Sequence, residues 1–166
     1  MIDTARTMFP LMPAEVFDEW LGRLISQQGW PFVTVEDVIE AEDWHRIFLE
    51  RSLAEWASYV WRLAVVEEVA ERLSNVSRNV VMQLMMHGSN QGQLASSVIR
   101  DSESRYLSAR DTMVEIKGFP GFATAYEDSR GKLWVVDGHH RLAALTSFRG
   151  YRSINIPFWI ATSPKE

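Results

Sequence analysis

Residues 132–150 are the segment that most restricts the fold, because their pattern changes from strand to helix at a single glycine. Leu133 to Val136 form a continuous apolar run, which predicts a buried β-strand. The run stops at Asp137-Gly138, and apolar side chains then recur at helical spacing (Leu142, Leu145 and Phe148) until Gly150. The sequence therefore predicts a strand, a tight turn and an amphipathic helix in direct succession.

The predicted turn carries Asp137, His139, His140 and Arg141, and it lies where the helix begins. A helix N-terminus presents backbone N–H groups without intrahelical partners and partial positive charge, so it can hold an anion such as phosphate. Gly138 lets the backbone approach a ligand closely, and Arg141 adds a forked cationic donor. The alternative interpretation is that Asp137 caps the helix and that both histidines face solvent.

The order of a strand, Asp-Gly-His-His-Arg and Leu-Ala-Ala-Leu resembles the signature of the ParB/sulfiredoxin superfamily. The resemblance extends more weakly over about residues 96–161. It assigns a helix to Tyr106 to Lys117, a turn to Gly118 to Gly121, and strands to Phe122 to Glu127 and Ser153 to Ile160. It implies an α/β (α+β) fold with a small mixed sheet.

In that superfamily, the Gly-His-Arg segment opens a helix whose amides hold nucleotide phosphates. The resemblance implies that the nucleotide is ATP or CTP and that its phosphates contact Gly138, His140, Arg141 and Leu142. It also implies that Asp137 and His139 lie beside the reacting group. Members include CTP-binding partition proteins, ATP-using sulfiredoxins, a free-serine kinase and nucleases, so the motif specifies a fold better than a reaction.

Hydrolysis of a nucleotide or a phosphodiester needs a cradle for the anion, a base and often a metal ion. The candidate catalytic residues are Asp137, His139 and His140, because a histidine can deprotonate water and Asp137 can orient that histidine or bind Mg²⁺. The two histidines are adjacent on a helix and point about 100° apart, so they are poor joint ligands of one metal ion. Further candidates for a second acid or base, each more typical of a solvated helix face, are Arg100, Glu103, Arg105, Arg110 and Glu115.

The absence of cysteine excludes disulfides, thiolate metal sites and sulfiredoxin chemistry. Only 16 residues follow Gly150, too few for the helix-turn-helix of partition proteins, so we expect no centromere-type partitioning. Residues 1–95 carry a net charge of −7 and residues 96–166 a net charge of +2, which favours the second region for a phosphate ligand. No apolar stretch approaches a membrane span and Met1 to Pro10 does not resemble a signal peptide, so we expect a cytoplasmic bacterial protein without membrane insertion.

Residues 1–95 are predicted to be a helical region, and residues 96–166 a ParB/sulfiredoxin-like catalytic core packed against it as one unit. Apolar side chains recur at helical spacing in three segments, which are 13–29, 43–73 (one helix, or two that separate near Ser52 or Ser58) and 76–86. A short helix is also predicted at 34–41, because Thr34 resembles an N-cap and is followed by the acids Glu36 and Asp37. The polar residues 89–97 are the best candidate for a linker.

A helical N-terminal addition, one Asp-Gly-His-His-Arg motif and no cysteine together resemble plasmid fertility-inhibition proteins, a group that includes the oncogenic suppression protein. This resemblance implies an ATPase with DNase activity that acts on DNA in a conjugation or type IV secretion system, a component of which is the partner. Two alternatives stay open: a small-molecule kinase, or a catalytically silent nucleotide-binding switch. In the switch, the helices that carry Trp44, Trp56 and Trp61 would dock a protein partner, although core packing is the more typical role for these residues.

Overall fold

The structure is a computed structural model, and it describes residues 1–89, 97–149 and 155–164. It describes side chains within 1–86, 104–146 and 155–164. Helices surround one four-stranded mixed sheet, and most of the described residues before the second strand are helical or irregular. The predicted α/β class and the helical N-terminal region are confirmed at this level.

The helices and strands follow one another in the order α1 (Ile2–Met8), α2 (Ala14–Val16), α3 (Arg23–Gln28), α4 (Glu42–Ile47), α5 (Leu53–Ser58), β1 (Val60–Val66), α6 (Val69–Arg72), α7 (Asn75–Ser89), α8 (Ser97–Ile116), β2 (Ala123–Glu127), β3 (Leu133–Asp137), α9 (His139–Arg149) and β4 (Ile156–Thr162). A π-helical segment, Phe17–Gly22, joins α2 to α3 and makes them one continuous helical stretch. This stretch ends at Gly29, whose φ is +82°, as the sequence predicted.

The sheet has the strand order β1-β4-β2-β3. The central pair β4 and β2 is parallel, whereas β1 with β4 and β2 with β3 are antiparallel. Strand β3 is therefore an edge strand, and its outer edge is covered by the start of α7. The Ser74 amide donates to the Leu133 carbonyl at 2.8 Å, and the Val135 amide donates to the Ser77 hydroxyl at 2.8 Å.

Residues 60–66 correct the prediction of continuous helix between 43 and 73, because they form β1. The segment is rich in valine and also contains Trp61, residue types that fit a pleated sheet. Its partner is β4, almost a hundred residues further along the chain, so local spacing could not reveal the pairing. The break predicted near Ser52 is confirmed, since Ser52 and Glu55 form a capping box at the start of α5.

The helix predicted at 34–41 is also wrong, because this segment is a turn followed by irregular chain. The Asp37 carboxylate accepts hydrogen bonds from the amides of Val33 at 2.6 Å and Thr34 at 3.1 Å. These bonds lower the pKa of Asp37. The side chain that closes the turn is therefore Asp37, rather than Thr34 acting as a helix cap.

Two cores cover the opposite faces of the sheet. The first, which we call the aromatic core, packs α1 to α5 against one face and includes Trp20, Phe48 and Trp56. The second, the aliphatic core, packs α7, α8 and α9 against the other face and includes Leu142, Ala143 and Ala144. Trp44 and Trp56 are buried and Trp61 is partly buried, so their predicted packing role is confirmed.

Some predictions fall on residues outside the described ranges. They concern most of the linker at 89–97, the boundary between 95 and 96, the helix end at Gly150, the Phe148 side chain and the first residues of the strand predicted from Ser153. Among the helices in the described part of the chain, none is long and apolar enough to cross a membrane.

Candidate functional site

The predicted strand, turn and helix are present, since β3 ends at Asp137 and α9 begins at His139. Gly138 between them has a φ of +101°, a conformation that residues with a Cβ rarely adopt. A Cβ at this position would also lie 3.0 Å from the Cβ of Ala123 and 3.2 Å from its Cα. The turn therefore requires glycine both for its backbone conformation and for its close approach to β2.

Asp137 holds two arginines at the end of β3. Its side chain is 8% exposed, and its Oδ1 accepts a hydrogen bond from Arg23 Nη2 at 2.7 Å. Its Oδ2 accepts one from Arg141 Nη2 at 2.8 Å. Both oxygens of this buried carboxylate are thus charge-paired, which offsets the free-energy cost of removing the carboxylate from water.

Arg141 is fixed by contacts on two sides. Besides its ion pair with Asp137, its Nη1 donates to the Pro120 carbonyl at 3.1 Å. Its guanidinium carbon lies 5.7 Å from the centroid of the Phe119 ring. A guanidinium held in this way is preorganised, because little side-chain entropy remains to be lost when it binds an anion.

These residues line a cavity of about 580 Å³, which we call the anion cavity. Its walls come from the end of β3, the start of α9, helix α8, the turn before β2 and the helical stretch that contains Arg23. Among the described residues, its charged side chains are three arginines and two carboxylates, namely Arg23, Arg105, Arg141, Glu19 and Asp137. Its volume is within the usual range for small-molecule sites.

The first intrahelical hydrogen bond of α9 involves Leu142. The Leu142 amide donates to the Gly138 carbonyl at 2.9 Å, so it is already engaged as the first bond of the helix. The amides of residues 139–141 precede this bond and lie at the N-terminal end of the helix. Leu142 contributes a fully buried side chain to the aliphatic core, and the structure places no free donor of Leu142 toward a phosphate.

The two histidines of the motif line different cavities. His140 lines the anion cavity together with Asp137, Gly138 and Arg141. His139 lines a second cavity, of about 720 Å³, at the outer edge of β3. Although part of His139 remains accessible, its imidazole is desolvated by dense surroundings, which lowers its pKa to about 4 against the partial opposing effect of Asp137. The structure thus brings together all the predicted site side chains except those of His139 and Leu142.

The upstream candidates on α8 are also separated by the structure. Arg105 lines the anion cavity. Arg110 pairs with Asp111 at 3.2 Å, and Glu115 is exposed, so neither belongs to the cavity. The side chains of Arg100 and Glu103 lie outside the described residues.

Arg23 is the functional candidate that sequence reasoning did not find. It lies 114 residues before Asp137, in the N-terminal helical stretch, and reaches the site through the tertiary fold. A weak signal was present, since Arg23 is the only basic residue between Pro13 and Gly29. A lone arginine on an amphipathic helix is nevertheless typical of a solvated face, and nothing local distinguishes this one.

The residues do not fit a magnesium site of their own. No group of three or more His, Cys, Asp or Glu side chains suited to a metal ion occurs in the described part of the chain. Both oxygens of Asp137 face guanidinium groups, which would repel a divalent cation. The Mg²⁺ role predicted for Asp137 therefore has no support from this geometry.

No protein-family model matches the sequence, and comparisons with curated proteins and with solved structures give no significant match. Function is therefore inferred from the motif and from the geometry of the two cavities.

Proposed function

We propose that this chain binds a nucleoside triphosphate in the anion cavity and hydrolyses it. The observation that carries the proposal is the convergence of the α9 N-terminus with Arg23, Arg105 and Arg141 on one cavity. Polyphosphate oxygens are complementary to forked guanidinium donors and to helix N-terminal amides. A triphosphate provides enough negative charge to use several of these groups at once.

The arrangement supports a role for each residue. Arg141, already fixed by Asp137 and Pro120, would contact the transferred phosphate and balance the charge that develops on its oxygens. His140 lines the cavity, so we assign to it the proton from the attacking water as the water oxygen bonds to phosphorus and the diphosphate leaves. Asp137 would position the guanidinium groups rather than react.

The proposal includes membership of the ParB/sulfiredoxin superfamily and a fertility-inhibition-type role against DNA transfer. The Asp-Gly-His-His-Arg motif between β3 and α9 supports the membership, because strand, glycine turn and helix follow in the order that the resemblance implies. DNase activity and a type IV secretion component as partner are supported by the resemblance alone. The cationic lining of the anion cavity is compatible with a DNA phosphate.

The test is phosphate release from ATP and from CTP with Mg²⁺, with a linear DNA digest beside it. We expect turnover by the wild-type protein and a loss of about 100-fold or more in Arg141→Ala, since this arginine would stabilise transition-state charge. His140→Gln should lose a similar amount. If His140→Gln still binds the nucleotide, its loss of turnover is due to the missing base and not to a disrupted binding site.

A matched control is Arg62→Ala, compared with Arg23→Ala. Both side chains are about half exposed, and each pairs with a largely buried carboxylate, Glu127 or Asp137. Only Arg23 lines the anion cavity, so only Arg23→Ala should reduce turnover. Equal effects of the two substitutions, or full activity in Arg141→Ala, would contradict the proposed site.

A second candidate function is a nucleotide-dependent switch without turnover. The observation that favours it is the Arg23–Asp137 ion pair, which connects the N-terminal helical stretch to the end of β3. A phosphate that attracts Arg23 would compete with Asp137 and so alter how that stretch packs. Nucleotide binding without phosphate release, together with a change in tryptophan fluorescence that Arg23→Ala removes, would favour the switch over the hydrolase.

A further inference from the structure

A second cavity lies at the outer edge of β3, away from the anion cavity. It has a volume of about 720 Å³ and is enclosed by the loop after α4, the first turns of α7 and the face of β3 that meets the aromatic core. It shares no lining residue with the anion cavity. Any ligand of this cavity therefore makes its own set of contacts.

Two aromatic rings in the wall of this cavity are held in place. The Trp134 indole Nε1 donates to Asp128 Oδ2 at 3.0 Å, which fixes the ring on the sheet. The Tyr126 ring stacks on Tyr59 with centroids 5.2 Å apart. Aliphatic side chains of β3 and α7 complete this wall, among them Val76 and Val136. Fixed rings beside aliphatic groups favour a planar, apolar ligand body.

The cavity lining also contains cationic side chains. The Arg51 guanidinium carbon lies 4.0 Å from the centroid of the Tyr126 ring, and its Nη1 donates to the Tyr59 hydroxyl at 2.9 Å. Arg46 lies at the mouth and forms an exposed ion pair with Glu42. The described lining carries two arginines and one carboxylate, Glu50, and the carboxylates that pair with Arg46 and Arg51, namely Glu42 and Glu55, lie outside this lining. Ion pairs with exposed carboxylates are weak, so an anionic group of a ligand can compete with Glu42 and Glu55 for these two guanidinium groups.

His139 supplies an uncharged polar group to the same cavity. Its low pKa leaves the imidazole neutral at neutral pH, so one nitrogen can donate and the other can accept a hydrogen bond. Leu49 and Glu50 on the facing loop have φ values of +54° and +61°, a strained conformation for residues other than glycine. Such strain is concentrated at ligand-binding segments in proteins.

We propose that this second cavity binds a small molecule that combines an aromatic, largely apolar body with one acidic group. The aromatic body lies against Trp134 and Val136, and the acidic group faces Arg46 and Arg51. The inference does not depend on the proposed hydrolase, because the two cavities have separate linings.

The experiment compares two fluorescent probes with the same rings, 1-anilinonaphthalene-8-sulfonate and the uncharged N-phenyl-1-naphthylamine, on the folded protein. We expect the sulfonate to bind more tightly than the uncharged probe. Val76→Trp, at a position that is 53% exposed, should fill the cavity mouth and weaken both probes by about tenfold or more. Arg46→Gln should weaken only the sulfonate, by about two- to fivefold, because the charge is at the rim.

Val60→Trp is the matched control, because Val60 is also 53% exposed but lies on β1, outside the cavity. It should leave binding of both probes unchanged, and so should Arg141→Ala in the anion cavity. Three results would overturn the proposal: absence of binding to the wild-type protein, equal loss in Val76→Trp and Val60→Trp, or loss of the sulfonate in Arg141→Ala alone. Near-ultraviolet circular dichroism of each variant establishes that probe binding is measured on folded protein.

Discussion

The two faces of the sheet are packed in different ways. The aromatic core contains every tryptophan of the chain, of which Trp20, Trp30, Trp44 and Trp56 are buried and the other three are partly buried. The aliphatic core instead uses small and branched side chains such as Ala123, Ala143 and Ala144. Large rings fill the space between short, irregular segments, whereas small side chains let a long helix approach the sheet closely.

The difference explains where the candidate site lies. Short helices joined by turns hold a side chain in a fixed position only when large side chains pack between them. In the aromatic core, the Phe48 ring makes such contacts with the rings of Phe9, Trp20 and Trp44. On the other face, Ala143 and Ala144 bury α9 in the aliphatic core, and the Gly138 turn lies directly against Ala123 of β2. The anion cavity forms where these two kinds of packing meet, because Arg23 comes from the first region and Arg141 from the second.

The largest effect should come from removing a ring of the aromatic core. Trp56 is 1% exposed, packs within 5.1 Å of both the Trp20 and Tyr59 ring centroids, and donates from its indole to the Phe48 carbonyl at 2.8 Å. We expect Trp56→Ala to lower the free energy of unfolding by about 3 to 5 kcal/mol. Urea unfolding, followed by fluorescence and by far-ultraviolet circular dichroism, measures it.

The same experiment tests whether the two faces unfold together. Tryptophan fluorescence reports on the aromatic core, whereas circular dichroism also reports on the longest helices, α7 and α8, which pack in the aliphatic core. Because β2, β3 and β4 serve both cores, we expect coincident transitions in the wild type and in Trp56→Ala. Two separated transitions would mean that the cores unfold as independent units. In that case Leu145→Ala in α9 would shift only the transition of the aliphatic core.

Gly138 should be the most sensitive glycine of the described turns. In Gly138→Ala the new Cβ meets Ala123 at 3.0 Å and the backbone stays at a φ of +101°, so we expect a loss of about 2 to 4 kcal/mol in stability. Gly29→Ala has a comparable φ of +82° but nothing within 4 Å of the new Cβ, and we expect about 1 to 2 kcal/mol. Thermal unfolding of both variants measures the two losses of stability. Equal losses would show that the contact of the new Cβ with Ala123 in β2 adds nothing to the cost of the backbone conformation.

His139 should make stability depend on pH. Its pKa is about 4 in the folded protein and 6.5 is its ordinary value, so between these values the unfolded chain binds more protons than the folded one. Stability should therefore fall as pH decreases from about 6.5 to about 4, by about 2 kcal/mol at pH 5. Urea midpoints at pH 7 and pH 5 check this, and His139→Gln should remove most of the difference. An unchanged pH dependence in that variant would assign the effect to other groups.

The smallest effect concerns the ion pair that joins the two regions. The Arg23 side chain is 47% exposed, so solvent weakens its attraction to Asp137. We expect a coupling energy of about 1 kcal/mol from a double-mutant cycle with Arg23→Ala and Asp137→Asn. A coupling near zero would indicate that the Arg23–Asp137 pair does not help to hold the two regions together.

Local sequence patterns predicted the C-terminal elements well. The apolar run at Leu133, the glycine at 138 and the helical spacing from Leu142 each act within a few residues, and all three appear in the structure. The same reasoning failed at 60–66, where valines with ambiguous spacing join a sheet through partners near 160. It also failed at 34–41. Acidic residues shortly after a threonine are typical of the first turn of a helix, but here the Asp37 carboxylate accepts the amides of Val33 and Thr34 and closes a turn.

For the candidate site, the sequence by itself determined the strand, the glycine turn and the helix that presents Asp137 and Arg141, since conformation and spacing at these positions are set by neighbours along the chain. The sequence also explains why the side chains of His139 and His140 point in different directions, because adjacent residues on a helix are about 100° apart. Only the tertiary structure decided which cavity each histidine lines, and only it brought Arg23 to Asp137. Those contacts depend on how distant elements pack across a sheet, and packing of that kind leaves no local pattern in the chain.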